Sequence, residues 1–394
     1  MGQKLAEKVS EPKWLIEKRK AAKKTYENEL LPDRVNHLWK YTDPAIFNPE
    51  TINIERVSEA GMWCYSEPGI EVLHTIDGIK KYEHLMRDKF GSLTSDKNLK
   101  LSLLNDSTWT CGYFVYVKKN WKPRDPVSLT MSIEKSNCFY PIRNFVFLED
   151  GADIKLVEHL CTKDQVFADV NIVTEIFLSK RAKLDFINLN MLGNKINYHL
   201  IQRSDLDTGA QLENTFISLG GSISKIDSET KLAGEQSNVS VSGIVLGDEK
   251  QKFDHHITVN HASSNTKSRL DFRVALKDKA NSAYTGNLKI PVNALGCDAT
   301  QKNNNLLLSE TAKAESIPEL EILTNDVKKC SHGVTVGHLD EEQIYYLMSR
   351  GFSDKEAERI ITEGFIEPIV LKIPEHTLIS DQIKSRIEQK LSKV

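Results

Sequence analysis

Cys330 and His332, two residues apart near the carboxyl end of the chain, are the residues whose types and spacing best suggest shared chemistry. They follow a strand-rich region and precede a strongly capped helix. In a β-strand, side chains two residues apart point to the same face. A thiolate and an imidazole placed in this way can converge on one soft metal ion or one sulfur atom. The alternative is ordinary packing, because free cysteine is among the most buried residue types.

The remaining histidines and cysteines give weaker signals. Adjacent histidines such as His255 and His256 face opposite sides of a strand, so we expect them and His261 to be surface or hydrogen-bonded residues. No C-x-x-C pair is present, which argues against zinc-knuckle, thioredoxin-like and four-cysteine ferredoxin sites within one chain. We expect most of the six cysteines to be free, buried thiols: Cys64, Cys111, Cys138, Cys161, Cys297 and Cys330.

Motifs and charge exclude several classes of function. The chain has no phosphate-binding G-x-x-x-x-G-K-[ST] loop, so we expect it to bind and hydrolyse no ATP by itself. The net charge of −3 does not favour nucleic-acid binding. The lysines and arginines between Glu11 and Glu29 are predicted to form the solvated face of a helix. The alternative is a local contact with phosphate or nucleic acid. No apolar run is long enough to span a membrane, and Met1 to Ser10 are too polar for a signal peptide, so we expect a cytoplasmic protein.

The middle of the chain, from about residue 126 to residue 336, reads as β-structure. Short alternating segments there are bounded by Gly, Asn, Asp and Ser. Small-residue turns recur, with Ala152, Ala182 and Ala210 spaced by 30 and then 28 residues, and Ala283 and Ala312 by 29. This repeat of about 29 residues favours a solenoid, and a parallel β-helix in particular. A β-sandwich is the alternative, but it gives no reason for the repeat.

The carboxyl end predicts three helices. Asp340 and Ser353 are expected amino-terminal caps, Ser353 with Glu356 as a capping box. The second helix should bury Ala357, Ile360, Ile361 and Phe365, and a third should run from about Thr377. We expect these helices to cover the last open edge of the solenoid. The predicted units are a mixed, partly helical 1–125, a β-helix 126–336 and a helical 337–394.

Three blocks of sequence resemble the SufB/SufD family of the SUF iron–sulfur cluster machinery, and the SufD branch in particular. The first is Leu38-Trp39-Lys40-Tyr41-Thr42. The second is Gln301 to Ser309, QKNNNLLLS, followed by Pro318 to Ile322, PELEI. The third runs from Lys329 to Leu347, KCSHGVTVGHLDEEQIYYL, and continues through Phe352. The blocks are dense over the last hundred residues and sparse before them.

The resemblance implies a mainly β protein, with a right-handed parallel β-helix core flanked by N-terminal and C-terminal helical domains. It implies a non-catalytic scaffold that pairs with SufB through the β-helix, binds the SufC ATPase through its carboxyl-terminal helices, and passes clusters to acceptor proteins. The family's motif histidine falls on His332 and the motif cysteine on Cys330. We expect SufC to contact Tyr345, Tyr346, Leu347 and Phe352, with sealing of the β-helix end as the alternative role of these rings.

Two departures favour SufD over SufB. Asn303 stands where SufB-type chains carry a cysteine, and Ser331-His332-Gly333 replaces a SufB-type E-H-E. The chain is thus short of ligands, so any cluster would be transient and shared with a partner subunit. Two other functions stay open: a SufB-like homodimeric scaffold acting with SufC only, and a β-helical carbohydrate-active enzyme. The latter needs carboxylates along a groove, and no repeated stripe of them is visible.

Overall fold

The computed structural model describes residues 11–48, 53–56, 66–94, 99–162, 165–373 and 378–392. Its centre is a parallel β-helix in which successive strands alternate between two sheets. Sheet A contains, in spatial order, β1 (Ser66–Glu67), β2 (Ile70–His74), β3 (Tyr113–Val117), β5 (Cys138–Leu148), β7 (Ala168–Leu178), β9 (Ile196–Leu206), β11 (Ile223–Leu232), β13 (Lys252–Asn260), β15 (Asn281–Ile290) and β17 (Lys313–Ile322). Sheet B contains β4 (Val127–Ile133), β6 (Asp153–Thr162), β8 (Lys183–Met191), β10 (Gln211–Ser218), β12 (Asn238–Gly247), β14 (Lys267–Leu276), β16 (Cys297–Leu307) and β18 (Val327–His338). The mainly β fold class and the solenoid are therefore confirmed.

The regular spacing of the alanines has a structural cause. Ala152, Ala182 and Ala210 are fully buried in the turns before β6, β8 and β10, where one turn lies on the next. The spacing from Ala283 to Ala312 does not mark a repeat. In the strand register Asn281 stands beside Lys313, so Ala312 stacks on Ala280, and this repeat is 32 residues long, three more than the spacing suggested.

The amino-terminal elements cover the outer face of sheet A. They comprise α1 (Lys13–Asn28), α2 (Thr75–Lys81), α3 (Glu83–Lys89), α4 (Leu99–Thr108) and two 3-10 helices, His37–Trp39 and Pro44–Phe47. The helix predicted between Glu11 and Glu29 is confirmed. The Leu38–Thr42 block is an anchor: Lys225 donates to the carbonyl of Leu38 at 2.5 Å and to Asp254 at 2.9 Å, and Thr42 donates to Asp254 at 2.6 Å.

The three carboxyl-terminal helices are α5 (Glu341–Ser349), α6 (Asp354–Val370) and α7 (Leu378–Ser392). The Asp340 cap and the complete Ser353 capping box are confirmed, whereas Thr377 lies outside the described residues. The predicted buried face of α6 was right for Ala357, but the helix continues beyond Gly364 and buries Ile366 and Ile369.

The expected position of these helices was wrong. α6 and α7 lie on the outer face of sheet B, where Ile366, Ile369 and Ile383 pack in one cluster with side chains of the middle strands, among them Ile187 and Ile217. The physical reason is the large apolar area of that face, because burying it stabilises the fold more than covering one strand edge does. Among the described residues, no strand follows β17 or β18 in either sheet.

Candidate functional site

β18 positions the two predicted site residues at the last turn of the β-helix. It pairs in parallel with β16, which sets Cys330 beside Ala299 and His332 beside Gln301. Ala299 and Gln301 are buried and lie on the inward side of β16. Cys330 and His332 therefore share the inward-facing side of the last strand, as their two-residue spacing predicted.

The two side chains differ in exposure because the solenoid ends there. Cys330 is half-buried and packs against the main core, and burial raises the pKa of its thiol. His332 is exposed. The site thus offers a mostly protonated thiol beside an accessible imidazole, two side-chain types that bind iron.

The end of the solenoid is also apolar, and none of the described segments covers it. Val334 and Val336 continue the inward-facing row of β18 but are 39% and 50% exposed. Leu323, just after β17, is 67% exposed. In each earlier turn of the solenoid, the next turn packs on the corresponding inward-facing side chains and buries them. In the last turn these apolar side chains are exposed instead.

The ligand set at this end is small. No group of three or more His, Cys, Asp or Glu side chains within the described ranges is arranged to hold a metal ion. Asn303 is buried on the inward side of β16, where the amide of Asn305 donates to it. Cys297 is fully buried and lies 3.3 Å from the hydroxyl of Thr266. Neither Asn303 nor Cys297 therefore provides a second exposed thiolate beside Cys330.

The aromatic residues expected to contact SufC lie on and just after α5. None of the side chains of α5 is buried. Tyr345 is 74% exposed, Tyr346 57% and Phe352 42%, while Leu347 is half-buried beside Tyr346 and Ile361 in a shallow cavity. These rings do not seal the end of the β-helix. They form an exposed apolar surface, which on a protein surface typically marks a binding site.

Comparison with known proteins identifies the family. The family described as "SUF system FeS cluster assembly, SufBD core domain" matches residues 131–365, more than half of the chain. The chain belongs to the SufBD family. The matched region includes the whole solenoid from β5 onward, Cys330, His332 and most of α6.

Individual relatives agree with this assignment. An iron-sulfur cluster assembly SufBD family protein of Pyrococcus horikoshii is 26% identical over 83% of this chain and 73% of its own length. A SufBD family protein of Staphylococcus epidermidis is 27% identical over 78% of this chain and 66% of its own length. The iron-sulfur cluster assembly protein SufD of Escherichia coli is 27% identical over 70% of this chain and 66% of its own length. The chain spans roughly two thirds to three quarters of these relatives. No helix in the described part of the chain has the length and apolarity needed to cross a membrane.

The expectation of surface or hydrogen-bonded histidines holds for His255 and His261 but not for His256, which is buried and lines a cavity. His255 points inward and lies 3.0 Å from the hydroxyl of Ser218, and His261 contacts Thr266 and Ser268, so both are hydrogen-bonded core residues. His256 points outward into a cavity that also contains His37. No local sequence pattern could predict this contact, because the two histidines are far apart in the chain and are brought together only by the fold of the β-helix.

Proposed function

We propose that the chain is a SufD-like scaffold subunit that holds a nascent iron–sulfur cluster at the open end of its β-helix. The observation that carries the proposal is the last turn, where Cys330 and His332 lie side by side on an uncovered apolar surface. In this proposal residues 126–336 form the β-helix core that carries the site, residues 1–125 form an amino-terminal domain whose helices cover the outer face of sheet A, and residues 337–394 form the unit that binds the ATPase SufC.

A second β-helix subunit completes the site. Two ligands from this chain cannot hold a cluster alone, since iron–sulfur clusters usually need four protein ligands. The exposed Val334 and Val336 and the unpaired edges of β17 and β18 suit pairing with another strand edge. The partner is a SufB-type subunit, with a second copy of this chain as the alternative; Asn303 in place of a cysteine favours the heterodimer.

The roles of the two side chains follow from their surroundings. Cys330 keeps its proton while the site is empty, because burial disfavours the thiolate. Iron binding displaces that proton, and the thiolate becomes a ligand. His332 provides an imidazole nitrogen from the exposed side of the same strand face. The cluster is cargo, which the complex passes on to acceptor proteins.

Replacement of His332 tests the cluster site. The chain is co-expressed with the other SUF components, and iron and acid-labile sulfide are measured in the purified complex. We expect His332→Ala to lower both contents while the melting temperature stays unchanged, because the side chain is exposed. His338→Ala is the matched control: it removes another exposed histidine on the same strand, about 20 Å away at the usual rise per residue. Full iron and sulfide content in a stable His332→Ala complex would refute the site.

The SufC ATPase docks on α5 in this proposal. The exposed rings of Tyr345, Tyr346 and Phe352 support it, since aromatic side chains are common anchors of protein interfaces. Deleting the helices is a poor test, because α6 and α7 cover the apolar outer face of sheet B. Point substitutions avoid that problem. Tyr345→Ser together with Phe352→Ser should abolish co-purification of SufC without lowering the melting temperature.

A matched control separates docking from general loss of surface apolarity. Leu371, just after α6, is 71% exposed, and Leu371→Ser should leave SufC bound. SufC retained in full by the Tyr345→Ser, Phe352→Ser chain would contradict the assignment of α5.

A further inference from the structure

A cavity of about 720 Å³ lies on the outer face of sheet A, opposite the face that carries α6 and α7. Its floor is formed by β11, β13 and β15, and its wall by the segment around His37. His256 on β13 is 7% exposed and lines the floor beside Asp227 and Thr285, its neighbours in the strand register. Among the described residues its Nε2 atom has no hydrogen-bond partner, since Oδ1 of Asp254 is 3.7 Å away. A buried imidazole nitrogen without a hydrogen bond, on a residue that lines a cavity, is the kind of group that a bound ligand would satisfy.

His37 faces His256 across this cavity. The two rings are 5.9 Å apart between centroids and inclined by 76°. Nδ1 of His37 lies 3.1 Å from Oε1 of Glu319, which leaves Nε2 as the ligand atom that the ring can offer. Metal-binding histidines usually donate their other ring N–H to a carboxylate in this way, which fixes the tautomer and the orientation of the ring.

The separation of the rings is close to that needed for one shared ion. A metal–nitrogen bond of about 2.0–2.1 Å places the ion about 3.2 Å from the centre of the ring, so two imidazoles at the tetrahedral angle have centres roughly 5.2 Å apart. The observed 5.9 Å is about 0.7 Å wider, so a shared ion would draw the two rings slightly together. We propose that His37 and His256 form a two-histidine site for a divalent transition metal ion of the zinc class.

The charges and polar groups of the cavity favour a cation. Four carboxylates line it and only two lysines: Glu29, Asp227, Glu319 and Glu321 against Lys100 and Lys289. Lys100 is engaged with the carbonyls of Tyr26 and Glu29. Lys289 pairs with Glu321 and Arg203 pairs with Asp227, so the remaining negative charge comes mainly from Glu29 and from Glu319 beside His37. Since the described residues contain no ready group of three ligands, water completes the coordination. The unpartnered hydroxyl of Thr285 can accept a hydrogen bond from such a water.

The ion would join the amino-terminal segment to the solenoid. His37 belongs to the 3-10 helix His37–Trp39, whose neighbours are already fixed: Trp39 is fully buried and the carbonyl of Leu38 accepts from Lys225. The backbone therefore holds His37 in place before an ion binds. The site lies on a different face from Cys330 and His332 and does not depend on the proposed iron–sulfur role.

Zn²⁺ titration of the full chain tests the proposal. The parent protein for the test carries Cys330→Ser and His332→Ala, so the residues proposed for the cluster cannot supply ligands. Affinity is measured by calorimetry, and melting temperature with and without excess Zn²⁺. We expect one Zn²⁺ per chain and a rise in melting temperature, because binding to the folded state alone stabilises it. Glu319→Gln should weaken binding about tenfold, and His37→Ala should weaken it further.

Controls keep the result interpretable. His37 is 41% exposed at its side chain, so His37→Ala should fold normally, and His256→Gln provides a second, independent ligand deletion. His84→Ala removes an exposed histidine elsewhere on the surface and should leave binding unchanged. X-ray absorption of the Co²⁺-loaded parent should show nitrogen and oxygen neighbours only. The proposal is overturned if the parent binds no Zn²⁺, if His37→Ala binds it as tightly as the parent, or if sulfur appears in the first coordination shell.

Discussion

Replacing Glu158 by glutamine should make the stability of this β-helix less sensitive to pH. Glu158 lies inside the solenoid on β6 and is 1% exposed. Its Oε2 accepts hydrogen bonds from the hydroxyl of Tyr113 at 2.8 Å and from the amide of Asn144 at 3.2 Å, while its Oε1 has no hydrogen-bond partner among the described residues. Burial raises the pKa of Glu158 to about 7, and the hydrogen bond from Tyr113 only partly opposes this. Glutamine keeps an oxygen for both donors and carries no charge.

The magnitude follows from the two protonation equilibria. Below pH 4.5, the ordinary pKa of a glutamate side chain, the carboxyl is protonated in both the folded and the unfolded chain. Between pH 4.5 and about 7 the unfolded chain loses the proton while the folded chain keeps it, so the free energy of unfolding falls as the pH rises. At about 1.4 kcal/mol for each pH unit of that interval the full loss is about 3 kcal/mol, of which roughly 2 to 3 kcal/mol falls between pH 5 and pH 8. The neighbouring Tyr113 and Tyr198 have pKa values raised by burial and stay neutral in this range.

Urea unfolding followed by circular dichroism at pH 5 and pH 8 measures this difference. Relative to the parent, Glu158→Gln should gain roughly 2 to 3 kcal/mol of stability on going from pH 5 to pH 8, because the variant has no carboxyl to ionise at this position. Glu17→Gln, which removes an exposed carboxylate, is the control for general effects of charge. A stability difference between Glu158→Gln and the parent that is the same at both pH values would refute the reasoning.

Two further predictions concern the anchor of the amino-terminal segment and the role of the chain in ATP hydrolysis. Asp254→Ala leaves the fully buried ammonium group of Lys225 without its carboxylate and should lower the free energy of unfolding in urea by about 3–5 kcal/mol. Lys225→Met combined with Asp254→Leu should recover most of that loss. A cost below about 1 kcal/mol for the single variant would contradict the role of the pair. The purified chain should release no phosphate from ATP, since it has no phosphate-binding loop, but it should raise the steady-state turnover of a SufC partner. ATP turnover by the isolated chain that survives stringent purification would count against the scaffold proposal.

Local sequence rules predicted the elements well. The capping box of Ser353 and Glu356 formed as expected because both of its hydrogen bonds join residues within one turn. The buried alanines before β6, β8 and β10 were visible because each turn of the solenoid repeats the same steric requirement. The register after Ala280 was not predictable from spacing alone. Ala280 occupies the turn before β15, whereas Ala283 lies within that strand, so the 29-residue spacing from Ala283 to Ala312 did not mark a repeat.

The sequence by itself determined the family motifs, the β-helix and the pairing of Cys330 and His332 on one strand face. Each of these depends on residues close in the chain or on a repeat. Only the tertiary structure decided where α6 and α7 lie, because that depends on which face of the solenoid offers the larger apolar area. It also decided that no described element covers the last turn and that His37 contacts His256. Such contacts join distant parts of the chain, and their geometry is set by how the turns stack rather than by any local pattern.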